Sequence, residues 1–133
     1  MAIILDSGVV IAGERGSLDL ERWIASYADE QFAVAAVTIA ELWHGVERAS
    51  AAHRLKRQAY IEGALSILPV IPYTEQTARI HARLWADLES KGRMIGDYDL
   101  IIAATALEHG SEVATFNKRQ FSAVKGLKVI EPS

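Results

Sequence analysis

Five short apolar runs punctuate the chain, and the stretches between the first four are long enough to hold helices. The runs are "AIIL" (2–5), "QFAVAAV" (31–37), "LPVIP" (68–72), "EVATF" (112–116) and "LKVIE" (127–131). Strands this continuously apolar do not suit a sheet with one wet face. They suit a sheet covered by helices on both sides. Strand–helix alternation along the whole chain therefore predicts an α/β fold, with a central parallel sheet of about five short strands flanked by helices. Helices are predicted at 18–29, 38–50, 51–67, 74–92 and 97–110. In the 74–92 segment Ala78, His81, Trp85 and Leu88 recur at three- and four-residue intervals, and Gly92 follows as a C-cap. No repeat, low-complexity segment or linker interrupts the pattern, so the 133 residues read as one domain.

Half of the residues are hydrophobic and 23% are charged, which is the balance of a chain that buries a core rather than one that stays disordered. The absence of cysteine excludes disulfides, thiolate zinc sites and a cysteine nucleophile, and is compatible with a reducing cytoplasm. The apolar N-terminus is interrupted by Asp6 and preceded by no basic residue, so it lacks the plan of a signal peptide. No apolar segment approaches the ~20 residues that span a bilayer. A cytoplasmic location is expected. With a formal net charge of −3, the chain is not a basic sheath for nucleic acid. A mildly acidic protein still handles phosphates where bound cations neutralise its acids.

In open α/β sheets, sites form beyond the carboxyl ends of the strands. That rule selects Asp6 and Ser7 after the first run, Thr38 to Glu41 after the second, and Thr115 to Asn117 at the end of the fourth. Asp97 and Asp99 open a helix whose start is expected at the same edge. Asp6, Glu41 and Asp99 thus converge, and three carboxylates do not crowd together unpaired. A hard divalent cation relieves the repulsion. Oxygen ligands without thiolate favour Mg2+ or Mn2+ over zinc. The chemistry such a site supports is phosphodiester hydrolysis by a metal-activated water.

Each acid also has a plain structural use. Asp6 is placed to cap a short helix in "SGVVIAGERG". "TIAE" has the form of a capping box, with Thr38 as N-cap and Glu41 reaching back. Asp97 is an N-cap candidate for the helix it opens, and Asp99 lies in the first turn, where the helix dipole favours negative charge. The convergence of the three acids, rather than any one of them, is the signal. Lys118 and Arg119, following Asn117 at the same edge, are candidates for phosphate contact. The basic stretch "RASAAHRLKRQ" (48–58) reads as a solvated helix face, His81 as a packed or partly exposed histidine, and Trp43, Trp85 and Tyr60 as core or partner contacts. Neither a dinucleotide fingerprint nor a phosphate-loop lysine motif is present.

Four motifs, "ILDSGVVIA", "TIAELWHG", "IGDYDLIIAATALEHG" and "VATFNKRQF", resemble in their order the PIN-domain ribonucleases, and most closely the VapC-type toxins of toxin–antitoxin pairs. The resemblance runs through nearly the whole chain. It implies a metal-dependent endoribonuclease whose three acids fall on Asp6, Glu41 and Asp99. Asp6 and Asp99 are implied as principal metal ligands, and Glu41 as a ligand or water-orienting group. Ser7, Thr115, Asn117, Lys118 and Arg119 would position phosphate or water. Two departures stand out. Ser7 replaces the family's frequent threonine and keeps the hydroxyl. Asn117 occupies the place of a frequent fourth acid, bringing an amide and no charge. Asn117 and Asp97 are the further candidate metal contacts, with Asp97 as a substitute for the missing charge. The resemblance also implies RNA as substrate, pairing of two subunits, and a small VapB-like antitoxin that directs an arginine at the carboxylates. The alternative is a catalytically weakened PIN-fold module that binds RNA or a partner without cutting. A receiver or phosphatase-like domain fits less well, because Asp6 is followed by Ser-Gly without the second aspartate of a phosphatase motif.

Overall fold

The computed structural model describes residues 2–133. Strands β1 (Ala2–Leu5), β2 (Gln31–Ala35), β3 (Val70–Ile71), β4 (Glu112–Ala114) and β5 (Val129–Ile130) form a wholly parallel sheet in the order β3-β2-β1-β4-β5. The helices are α1 (Ser7–Arg15), α2 (Leu20–Ala25), α3 (Ala36–Arg48), α4 (Ala51–Ile67), α5 (Glu75–Ser90), α6 (Asp97–His109) and the short α7 (Lys118–Phe121). Ile3 and Leu5 of β1 point into a core completed by residues of α1, α2, α3 and α4. Ile4, between them, points into the opposite core, built with α5, α6 and α7. This alternation is why the strand sequences carry no polar face. Among the described residues no helix is long and apolar enough to cross a membrane.

The expected architecture is present, with shorter strands than the apolar runs suggested. Residues 36–37 belong to α3, because β2 passes directly into that helix with Ala35 in extended conformation as its N-cap. Thr38 therefore lies in the first turn, not at the cap, and its Oγ1 is buried without a hydrogen-bond partner. The capping box expected for Thr38 and Glu41 does not form. The stripe expected on α5 is also rotated. Thr77 and Leu88 are buried, with Leu84 packed nearby, whereas Trp85 is 51% exposed. Trp85 stacks on His81, whose Nδ1 pairs with the Tyr73 hydroxyl at 2.8 Å. His81 is thus a partly exposed histidine with its own partners.

Two features set the position of α6. Ala103 and Ala104 are fully buried, and their small side chains let the helix lie close to the sheet. Near its far end Glu108 Oε1 accepts a hydrogen bond from Thr77 Oγ1 at 2.6 Å, tying α6 to the start of the antiparallel α5. On the other face Gly13 of α1 allows close approach to α2 and α4. A Cβ there would stand 2.5 Å from the Tyr60 hydroxyl and 3.0 Å from the Leu20 side chain. That hydroxyl is itself held by Val10 O at 3.1 Å, so it has little room to yield. Gly13→Ala is expected to lower stability by roughly 1–3 kcal/mol, the scale of overpacking. In the Tyr60→Phe background the loss should shrink, as a denaturation double-mutant cycle measures. Equal losses in both backgrounds would show that the hydroxyl is not the obstacle.

Candidate active site

The chain winds from β1 outward through β2 to β3, then returns to the other side of β1 for β4 and β5. The carboxyl ends of β1 and β4 therefore border the topological switch point, where α/β sheets open a crevice. Asp6 leaves β1 there. Its backbone N–H donates to Ala114 O at 2.9 Å. Its Oδ1 accepts from the Ser7 N–H at 2.8 Å, and its Oδ2 accepts from Thr115 Oγ1 at 2.7 Å. Asp6 is both the N-cap of α1 and a site carboxylate, so its two sequence readings are compatible.

Thr115 is completely buried, and its Oγ1 also accepts from the Asn117 N–H at 2.9 Å. Asn117 in turn donates from Nδ2 to Asp99 Oδ2 at 3.3 Å. One chain of hydrogen bonds thus runs Asp6–Thr115–Asn117–Asp99 and links β1, β4 and α6. Asp99 is the third residue of α6. Gly96, not Asp97, is the N-cap, and no side chain caps the helix. The helix begins at Asp97, as the sequence predicts, with the extended Gly96 in the cap position for which Asp97 was the candidate. Asp97 therefore occupies the first helical position and is exposed. A cleft of about 430 Å³ lies over this first turn, lined by Glu41, Gly96, Asp97, Tyr98 and Asp99. It is smaller than the apolar groove of about 730 Å³ between α1, α2 and α4, which contains none of the converging acids.

The acids feel one another. Burial pushes the Glu41 carboxyl up to about 7, helped by the charges of Asp6 and Asp99 and opposed by a hydrogen-bonding contribution from Ser7. Burial likewise pushes Asp99 up to about 6, helped by Asp6 and opposed by the Asn117 amide. Glu41 Oε1 is buried and has no hydrogen-bond partner among the described residues. Among the described residues no three His, Cys, Asp or Glu side chains form a ready coordination sphere. The donor set still fits a hard divalent cation: all oxygen, repelling in its ionised form, with one buried oxygen awaiting a partner. Lys118 and Arg119 lie exposed on α7, and neither is hydrogen-bonded to these carboxylates. The Asn117–Asp99 bond and the Thr115 relay had no motif to announce them. Nor did Gln120, whose Oε1 accepts from the Gly96 N–H at 3.5 Å.

Two expectations follow. Raised carboxyl pKa values mean that the folded chain binds more protons than the unfolded chain between about pH 4.5 and 7. Stability of metal-free protein should therefore fall as pH rises through that window. Glu41→Gln should gain on the wild type in melting temperature at pH 7.5 relative to pH 4.5. A pH-independent difference between the two proteins would contradict the burial assigned to Glu41. Thr115→Val leaves Asp6 Oδ2 and the Asn117 N–H without their donor and acceptor. It should cost about 1–3 kcal/mol in chemical denaturation, and an unchanged midpoint would remove the relay's structural role.

Comparison with known proteins places this geometry. A family profile described as the PIN domain matches residues 3–127. The chain is 33% identical over 134 aligned residues to "Ribonuclease VapC1" of Rickettsia felis, covering 100% of this chain and 98% of that one. It is 34% identical to the "tRNA(fMet)-specific endonuclease VapC" of Salmonella typhimurium, over 72% of this chain and 71% of the relative. Among solved structures, DNA-bound VapBC from Salmonella typhimurium superposes with a TM-score of 0.88 at 28% identity, covering 98% of each chain. The chain belongs to the PIN-domain family and, within it, to the VapC ribonucleases.

Proposed function

We propose that this protein is a metal-dependent endoribonuclease, the toxin of a toxin–antitoxin pair, and that Asp6, Glu41 and Asp99 are its catalytic acids. The observation that carries the proposal is the buried, unpartnered Glu41 Oε1 beside two further carboxylates at the switch point. Asp6 and Asp99 would hold Mg2+ or Mn2+, with Glu41 as a further ligand. A cation bound there supplies charge neutralisation and Lewis-acid activation for phosphodiester hydrolysis. The protein's own groups do the positioning. Thr115 fixes one Asp6 oxygen, and the Ser7 N–H fixes the other. Asn117 orients Asp99. Glu41 Oε1, free to accept, orients the attacking water. Lys118 and Arg119 receive substrate phosphate. Asp97, exposed at the first helical position, contributes charge to the cleft rather than a cap.

The ribonuclease names of the relatives support RNA as substrate, and the VapBC assembly of the structural neighbour supports a small antitoxin as partner. An arginine from such a partner would satisfy the carboxylates as a cation does. Pairing of two copies of the chain is part of the same proposal. A second reading, binding without cleavage, draws on Asn117: its amide engages Asp99 where the family often has an acid.

The deciding assay is cleavage of transfer RNA, beginning with the initiator tRNA(fMet), in Mg2+, in Mn2+ and in excess EDTA. Cleavage should require metal. Asp6→Asn and Asp99→Asn should each reduce the rate by more than ~100-fold, and Glu41→Gln by roughly 10²–10⁴. Asp97→Asn should change it by less than about fivefold, the scale of one helix-terminus charge. Metal-independent cleavage, or full activity of Asp6→Asn, would sink the proposal. RNA binding with no cleavage of any RNA offered would favour the binding module.

A further inference from the structure

A second cleft, of about 400 Å³, adjoins the acidic one and has the opposite character. It is lined by Arg93, Met94, Ile95, Asn117, Arg119, Gln120 and Ala123. The two clefts meet across the Asn117–Asp99 hydrogen bond and the Gly96–Gln120 contact. On one side stand Glu41, Asp97 and Asp99; on the other stand two arginines. Neither Arg93 nor Arg119 forms an ion pair among the described residues, although Arg57, Arg79 and Lys91 do. Both are exposed.

The placement of Arg93 is built, not incidental. α5 ends in a turn where the Gly92 N–H donates to Glu89 O at 3.1 Å and the Arg93 N–H donates to Leu88 O at 2.9 Å, with Gly92 at φ 64°. This is the paired hydrogen-bond pattern of a Schellman end, whose last position often carries an apolar residue packed back on the helix. Here that position carries an arginine. The backbone that holds the guanidinium at the cleft is thus pinned at both its own N–H and the preceding one. Met94 beside it is 45% exposed, and offers an apolar surface between the charges.

We propose that this cleft is a subsite for the single-stranded RNA backbone next to the scissile phosphodiester, with Arg93 and Arg119 receiving a neighbouring phosphate and Met94 contacting its sugar or base. The proposal rests on the ribonuclease reading of the acidic cleft and deepens it. Net charge does not oppose it, because the arginines face substrate that the carboxylates alone would repel. A strand crossing the Asn117–Asp99 bond meets the carboxylates, which would hold the cation, at one phosphate and the arginines at the next. Such alternation sets register as well as affinity.

The test uses the full-length protein and a fluorescent single-stranded RNA 12-mer of mixed sequence, by anisotropy in EDTA at several salt concentrations. Arg93→Gln and Arg119→Gln should each weaken binding about 3- to 10-fold, and the double variant should reduce the salt slope by about 0.7, one phosphate on a single strand. Lys56→Gln/Lys128→Gln, which removes two charges elsewhere, should leave both quantities unchanged. In the metal-dependent cleavage assay the arginine variants should raise KM with little change in kcat. Unchanged affinity, slope and KM in Arg93→Gln/Arg119→Gln, with wild-type cleavage intact, would overturn the subsite and the phosphate contact assigned to Arg119, and leave the metal-dependent ribonuclease reading standing. A wild type that neither binds nor cleaves RNA would overturn both the subsite and the ribonuclease reading. Normal RNA binding by the double variant with lost binding of poly-glutamate would assign the cleft to an acidic protein partner instead, and overturn the RNA subsite.

Discussion

The hydrogen bond from Thr115 Oγ1 to Asp6 Oδ2 joins the ends of the two strands between which the chain changes its direction of winding. It is buried, and both of its residues are held by other bonds: Asp6 through its N–H to Ala114 O, Thr115 through its N–H to Ile130 O. A carboxylate placed so deep is tolerable only because donors meet both of its oxygens. The same threonine passes the constraint on to Asn117, and Asn117 to Asp99. Remove Thr115 and three elements lose their common reference point at once. The sheet edge is thus a fixed frame, whereas Glu41, arriving from α3, is the acid left with an oxygen unpartnered.

That division explains the electrostatics. Glu41 and Asp99 carry the conflict among the acids: their carboxyls are driven upward by burial and by Asp6. Asn117 eases the conflict for Asp99 without adding a fourth negative charge. A fourth acid in its place would repel Asp99. With an amide, the pair is satisfied at 3.3 Å by a hydrogen bond within the protein.

Much of this was legible in the sequence, for a physical reason. A parallel sheet covered on both faces must be written in continuous apolar runs, and sites on such sheets must lie past the strand ends. Asp6 and the neighbourhood of Asn117 could be picked on those grounds alone. Helix starts were harder to read. "TIAE" satisfies the pattern of a capping box, yet β2 runs into α3 at Ala36, so Thr38 is carried past the cap and Glu41 turns inward. "DYD" looks like a capped start, yet Gly96 takes the cap. Local preference at a helix end is worth about 1 kcal/mol, which the seating of a whole helix against the core outweighs. Trp85, read as a core or partner contact, is not in the core for a related reason: a heptad-like spacing fixes which residues share a stripe, not which stripe faces inward.

The two aspartates of Asp-Tyr-Asp are separated by their depth rather than by their type. Residues two apart on a helix point about 200° from each other, so a helix seated by buried Leu100, Ala103 and Ala104 cannot bury both. Asp99 falls on the half-buried side, against Asn117 and within reach of the charge on Asp6; Asp97 falls on the exposed side and only borders the cleft. Gly96 completes the arrangement. A Cβ there would stand 3.6 Å from Asp99 Oδ2, an ordinary contact, so the helix start does not require glycine for packing. What the missing side chain leaves clear is the approach to that oxygen, at the boundary where the acidic cleft gives way to the arginines.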